Sequence, residues 1–266
     1  MPIADRAGLA VHWQDYGEGP RPVLALHCSL ARGGAWAGVA ARQGDDVTLT
    51  APDLPGHGQS GDWDGTGDFV RLCTRVAGAM ISRPVDLVGH SLGGVAALRL
   101  ALAAPEAVRT LTLIEPVLFA AARGSPEYPA CRDEAARNFA PMATGDREAA
   151  ARNFTTSWGD GTDWDAIPDR LRRYMAERIH LIPATDAALF DDAGGLLDEG
   201  RLEALDLPVM IIAGAASPPV IPRIAEAIAA RLPDVGVAEA PGAGHMAPIT
   251  HPDEVAGLIR VNMDRG

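Results

Sequence analysis

The sequence predicts an α/β fold, a mostly parallel, doubly wound sheet with a helical segment inserted in it. Three observations predict this. Short β-rich apolar runs recur in both the first and the last parts of the chain, helix-length stretches separate them, and the alternation stops between Phe119 and Leu205. Short continuous apolar runs with crossover-length spacers suit strands covered on both faces.

The first run, Val23-Leu24-Ala25-Leu26, ends at His27, and Val47-Thr48-Leu49-Thr50 ends before Asp53-Leu54-Pro55-Gly56. Thr66 to Ile81 places Phe69, Leu72, Val76 and Met80 at helical spacing. Val85-Asp86-Leu87-Val88 then leads into Gly89-His90-Ser91-Leu92-Gly93, followed by an Ala/Leu-rich helix to Ala103. Leu111-Thr112-Leu113-Ile114 ends at Glu115-Pro116. After the helical stretch come Val209 to Ala213, a helix from Pro222 to Leu232, a strand from Val235 to Ala240 and a helix from Pro252 to Met263. Both of these helices have proline near the start, where its missing N–H costs nothing. The stretch 119–205 has helical composition and no clear strand. Its echo, Glu134-Ala135-Ala136-Arg137-Asn138-Phe139 against Glu148 to Phe154, is shared helix chemistry rather than a repeat architecture. The expected organisation is a core of residues 1–118 and 206–266 with a helical cap, 119–205, over the C-terminal edge of the sheet, where open α/β sheets bind ligands.

A length of 266 residues suits one large domain, or one domain carrying an insertion. The chain has 23 basic residues, all arginine, and 35 acidic ones, for a net charge of −12. Such a balance argues against nucleic acid or an anionic membrane as partner. Cys28, Cys73 and Cys131 are odd in number and widely spaced, so they form no disulfide framework and no CxxC metal pair. No stretch reaches the roughly 18 apolar residues of a membrane span, and the N-terminus lacks a leader pattern. The expected location is the cytoplasm. Oligomeric state is not legible, and a homo-oligomer is left open.

Ser91 carries the chemistry. A strand, a G-x-S-x-G turn and a helix together make a nucleophile elbow, a sharp turn whose flanking glycines let the backbones pass. The helix N-terminus behind the serine favours negative charge there. The structural alternative is a helix N-cap serine. A serine needs a base, and His245, in Gly242-Ala243-Gly244-His245-Met246 after the last strand, stands where the chain order requires one. The alternative for His245 is a surface-loop histidine. His12, His57, His180 and His251 fit less well; His90 belongs to the elbow, where it would face structure, and His27 ends a strand and reads as a structural hydrogen bonder.

These features, with Leu26-His27-Cys28-Ser29 and Asp53-Leu54-Pro55-Gly56-His57-Gly58-Gln59-Ser60, resemble the α/β-hydrolase fold superfamily, in its capped esterase, lactonase and C–C hydrolase branches. The resemblance covers nearly the whole chain outside the cap. It implies an oxyanion hole made by the backbone amides of Ser29 and Leu92. Cys28 stands where the family has glycine; no base-bearing cysteine motif surrounds it. Asp53 to Ser60 reads as a structural loop that shapes the pocket wall.

The acid of the triad departs from the family pattern. Its usual place after the strand ending at Ala213 reads Gly214-Ala215-Ala216-Ser217-Pro218-Pro219, and no Asp or Glu occurs from Leu207 to Ala225. Glu115 closes the strand after the elbow helix and keeps the order serine, acid, histidine. The alternatives are a rim carboxylate there and a Ser-His dyad. The expected activity is hydrolysis of a small to medium carboxylic ester or lactone through an acyl-enzyme on Ser91, without metal or organic cofactor. C–C or amide hydrolysis on the same groups, and a non-catalytic ligand-binding homologue, are the competing readings. Phe154, Trp158, Trp164, Tyr174 and Met175 are candidates to line the pocket.

Overall fold

The computed structural model describes residues 2–266. Eight strands form one sheet: β1 (Ile3–Arg6), β2 (Leu9–Tyr16), β3 (Arg21–Leu26), β4 (Val47–Pro52), β5 (Val85–His90), β6 (Val108–Ile114), β7 (Val209–Gly214) and β8 (Val235–Ala240). Their spatial order is β1-β2-β4-β3-β5-β6-β7-β8. β2 runs antiparallel to both β1 and β4, and every other neighbouring pair is parallel. The six apolar runs of the sequence all become strands, most of them longer by a few residues. β1 and β2 are additions. They form a hairpin at the sheet edge, and the two residues joining them, Ala7 and Gly8, both have positive φ, 56° and 85°. That backbone matches the twist of paired strands, but Ala-Gly announces it less clearly than Asn-Gly. Only Val11 and His12 of the two strands are buried, so their apolar signal is weak.

The helices lie on both faces, as crossover connections require. They are α1 (Ala37–Ala40), α2 (Phe69–Gly78), α3 (Leu92–Ala103), α4 (Glu127–Phe139), α5 (Arg147–Trp158), α6 (Asp169–Arg178), α7 (Asp186–Leu189), α8 (Val220–Ala229), α9 (Ala247–Thr250) and α10 (Pro252–Met263). On one face α2, α3 and α8 bury Phe69, Cys73, Leu98, Ile224 and Ile228 against the sheet. On the other, Val39 of α1 and Val255, Ile259 and Met263 of α10 pack beside Trp36. Successive residues of β5 serve the two sides: Leu87 joins the first cluster and Val88 the second. This explains why the strand reads as a continuous apolar run.

Local chemistry sets the helix boundaries. α2 begins later than its periodicity suggests because Asp68 caps it, accepting the Arg71 N–H. α8 begins two residues before Pro222, which therefore sits within the first turn, where an N–H has no intrahelical partner. Below the site, Asp86 ties three strands together. Its buried carboxylate accepts from Arg21 Nε at 2.7 Å, Arg109 Nη2 at 2.9 Å and Thr110 Oγ1 at 2.9 Å. Burial pushes this carboxyl up, but the three donors more than offset it and hold it below the usual range.

Between β6 and β7 the chain is helical, α4 to α7 with short 3-10 turns and no strand. Ala150, Ala151, Trp164, Ile167, Met175 and Ile179 form a small apolar cluster there, completed by Leu30 from the loop after β3. Phe119, Cys131, Trp158, Leu189 and Phe190 instead join the cluster of the α2–α3–α8 face. No helix among the described residues is long and apolar enough to cross a membrane.

Leu87 has no exposed surface, whereas Val237 on the edge strand is 56% exposed. Leu87→Ala is expected to cost about 2–5 kcal/mol in urea unfolding, and Val237→Ala to stay within about 0.5 kcal/mol.

Candidate active site

β5 ends at His90 and α3 begins at Leu92, so Ser91 alone makes the turn. Its φ of 56° and ψ of −118° lie where side chains are rarely found. The N–H of Ser91 donates to the Ile114 carbonyl at 2.9 Å, which ties the turn to the end of β6. The flanking glycines are required sterically. A Cβ on Gly89 would lie 2.3 Å from the Gly93 carbonyl oxygen, and one on Gly93 would lie 2.3 Å from that of Leu26. The elbow is therefore a consequence of strand and helix backbones passing closer than any side chain permits.

Ser91, His245 and Glu115 come together across 154 residues of sequence. His245 Nε2 lies 3.0 Å from Ser91 Oγ, and His245 Nδ1 lies 3.0 Å from Glu115 Oε2. All three are buried, Glu115 completely. Glu115 turns out of β6 with φ 51°, and its own N–H donates to the Ile212 carbonyl at 2.8 Å. Its second oxygen, Oε1, accepts from the Gly214 N–H at 2.5 Å and the Ser217 hydroxyl at 2.8 Å. Ser217 thus stands where the common pattern has an acid, and its hydroxyl donates to the Glu115 carboxylate at the end of the neighbouring strand.

His90 adds a contact that the sequence did not single out. Its Nε2–H donates to the backbone carbonyl of His245 at 2.8 Å, fixing the loop that carries that residue. Burial holds His90 well below the usual histidine range, so it stays neutral and keeps this tautomer. Its position in Gly-His-Ser was the available signal.

The loop after β3 is also held by neutral histidines. His27 Nδ1–H donates to the Cys28 carbonyl at 2.7 Å, while its Nε2 accepts the Leu54 N–H at 2.9 Å. His57 Nδ1–H donates to the Pro55 carbonyl at 2.8 Å, while its Nε2 accepts the Leu30 N–H at 3.1 Å. Leu30 has φ 62°. Between these anchors, the Ser29 N–H has no acceptor among the described residues, and neither has that of Leu92. Ser29 lines the same pocket as Ser91 and His245. Burial pushes the Cys28 thiol up to about 12, which leaves it without nucleophilic thiolate near neutral pH. Asp53 accepts from the Gly33 N–H at 2.7 Å, the Gln59 N–H at 2.9 Å and His12 Nδ1 at 2.7 Å, so it ties its own loop to the loop after β3 and to β2.

The pocket above Ser91 is lined mostly by aromatic and aliphatic side chains, together with the polar Asn138, Thr185 and Asp186. Trp158, at the end of α5, packs edge-on against the His245 ring with centroids 4.8 Å apart. Phe119 stacks on Phe190 at 4.4 Å and meets Trp158 at 5.8 Å. Of the five candidates, Phe154 and Trp158 line the pocket. Trp164 and Met175 do not, because they fill the small cluster under α5 and α6. Tyr174 does not either. Its hydroxyl donates to the Ala31 carbonyl and accepts the Gly58 N–H, both at 2.9 Å. Phe119, Phe139, Leu189 and Phe190 line the pocket without having been singled out, since nothing in a helical stretch of unknown packing marks its inward face.

A model of the alpha/beta hydrolase family matches residues 23–258. The chain belongs to the α/β hydrolase family. Among curated relatives, a pimeloyl-[acyl-carrier protein] methyl ester esterase of Methylococcus capsulatus is 30% identical over 257 residues, covering 91% of this chain and 94% of the relative. One from Yersinia pseudotuberculosis is 27% identical over 255 residues, covering 94% and 95%. Among solved structures, the enol-lactonase from Burkholderia xenovorans LB400 superposes with a TM-score of 0.76 at 20% identity, covering 99% of this chain and 100% of that one. An α/β hydrolase from Sphaerobacter thermophilus gives 0.73 at 24%, covering 97% and 99%. Both share the fold of this hydrolase.

The histidine anchors give this hydrolase a defined pH dependence. Burial lowers His27 from 6.5 to about 4 and His57 from 6.5 to about 3. The unfolded chain therefore takes up protons first as pH falls. The stability contributed by the two neutral rings is complete above pH 6.5 and is lost as pH drops from 6.5 towards 4 and 3. Each ring adds up to about 1.4 kcal/mol per pH unit to the slope. Urea unfolding between pH 7 and 4.5 should show a His57→Asn variant losing one such increment; an unchanged slope would remove His57 from this account.

Proposed function

We propose that the chain is a serine hydrolase that cleaves a small to medium carboxylic ester or lactone through an acyl-enzyme on Ser91. The observation that carries this reading is the relay from Ser91 Oγ to His245 Nε2 and from His245 Nδ1 to Glu115 Oε2, each 3.0 Å. A serine–histidine contact backed by a buried carboxylate is what deprotonates a hydroxyl at the moment it attacks a carbonyl.

Ser91 Oγ attacks the ester carbonyl carbon while its proton passes to His245 Nε2. The Glu115 carboxylate stabilises the imidazolium and keeps the ring oriented. The Ser29 and Leu92 amides, which have no other acceptor, donate to the developing oxyanion; losing one such donor typically costs about 3–4 kcal/mol of transition-state stabilisation. The tetrahedral intermediate collapses, the alcohol leaves with the proton held by His245, and an acyl-Ser91 ester remains. Water, deprotonated by the neutral His245, then attacks that ester; the second tetrahedral intermediate collapses, Ser91 Oγ takes back the proton held by His245, and the carboxylic acid is released. Every bond made or broken is served by groups of the chain, so no metal or organic cofactor takes part, and the partner is a small-molecule substrate.

The two curated relatives are pimeloyl-[acyl-carrier protein] methyl ester esterases, which makes methyl esters of medium-length acyl chains the first substrates to test. Phe119, Phe154, Trp158 and Phe190 offer such a chain apolar contacts beside Ser91. A fluorophosphonate probe should label the protein stoichiometrically at Ser91, and Ser91→Ala should abolish both labelling and turnover of p-nitrophenyl esters. No labelling of the wild-type protein would instead favour a ligand-binding homologue. Ser217→Ala should lower kcat about ten- to hundredfold with little change in KM, because a hydrogen bond to a charged group is worth about 1.5–3 kcal/mol. Unchanged kcat would remove Ser217 from the mechanism.

A further inference from the structure

The chain has 23 arginines and no lysine in a molecule of net charge −12. The guanidinium groups of Arg32, Arg71, Arg137, Arg170, Arg173 and Arg201 make no hydrogen bond or ion pair among the described residues, whereas every other arginine makes at least one. Three of these six, Arg32, Arg170 and Arg173, line one groove of about 640 Å³ between α6 and the loops after β3 and β4. Arg178 lines it too. Its guanidinium lies over the Tyr174 ring at 4.0 Å, and its Nε is shut off from solvent without an acceptor. Residues 170, 173, 174, 177 and 178 share one helix face by their spacing.

Two carboxylates border the groove. Asp53 is buried and occupied by the two N–H groups and His12 described above. Glu177 accepts from Arg178 Nη1 at 3.0 Å. Four guanidinium groups therefore face two carboxylates that already have partners, on a molecule that is strongly acidic elsewhere. None of the residues lining this groove lines the Ser91 pocket.

We propose that this groove binds a phosphate-bearing small molecule, at a site separate from Ser91. A phosphate ester brings close to two negative charges and three acceptor oxygens, enough to engage guanidinium forks from two directions at once. A single carboxylate would leave most of those donors unused. Such a ligand would bridge α6 to the loop after β3, three residues beyond Ser29.

The test is isothermal titration of inorganic phosphate and of pyrophosphate into the full-length protein, with ionic strength held constant by chloride. Saturable binding to one site is expected, at least tenfold weaker in an Arg170→Ala/Arg173→Ala variant and unchanged in Ser91→Ala. A variant with Arg137→Ala and Arg201→Ala, which removes unpartnered arginines away from the groove, should bind as wild type. Circular dichroism and thermal melting check that each variant is folded; the substituted arginines make no side-chain hydrogen bond or ion pair among the described residues that the variants would lose. No saturable heat with either anion, equal binding by the groove variant, or equal weakening in the Arg137/Arg201 control would overturn the proposal, the last by showing a diffuse counter-ion effect.

Discussion

A carboxylate with no exposed surface is the constraint around which the rest of the site is arranged. Removing an ionised group from water costs several kcal/mol unless its lone pairs are answered. Glu115 is answered from three directions: His245 on one oxygen, and the Gly214 N–H and Ser217 hydroxyl on the other. Those donors come from the end of β7, the turn after it, and the loop after β8. The carboxylate can be satisfied only when three strand ends and their loops are all in register. The same condition aims His245 at Ser91. Glu115 thus couples the assembly of the sheet's C-terminal edge to the geometry of the proposed nucleophile.

A second layer holds what the carboxylate does not reach. His90 grips the backbone of the His245 loop, and His27 and His57 grip the loop that offers the Ser29 amide. In each case a ring that burial keeps neutral near pH 7 acts as a fixed hydrogen-bonding unit, and in His27 and His57 a protonated ring could not serve at the nitrogen that accepts. Trp158 closes the other side, its edge against His245, so the helical stretch between β6 and β7 reaches the proposed site directly. The low exposure of Ser91, His245 and Glu115 strengthens each of the polar contacts among them.

Much of this was legible in the sequence, and the parts that were not share a physical cause. Parallel strands buried on both faces announce themselves as apolar runs, so β3 to β8 could be read. β1 and β2 lie at an edge, with one buried pair of residues and an Ala-Gly turn, and leave little trace. The elbow is visible because no residue but glycine fits at positions 89 and 93. The departure at Ser217 was visible as a missing acid; that its hydroxyl donates to Glu115 depends on two strand ends lying side by side, which no local pattern encodes. The pocket lining was the least legible. Trp164 and Met175 resemble Phe154 and Trp158 in sequence, and only the packing of α4, α5 and α6 decides which of them face Ser91. Arg170 and Arg173 carry no local signal of a site, because only the fold brings Arg32 from the loop after β3 into the same groove.

The central claim is that Glu115 serves as the acid behind His245. The most direct measurement is kcat of Glu115→Gln on an ester that the wild-type protein turns over, with folding checked by thermal melting. An amide cannot stabilise the imidazolium, and kcat is predicted to fall by about four orders of magnitude in a folded protein. A folded Glu115→Gln variant with near-wild-type kcat would contradict the account.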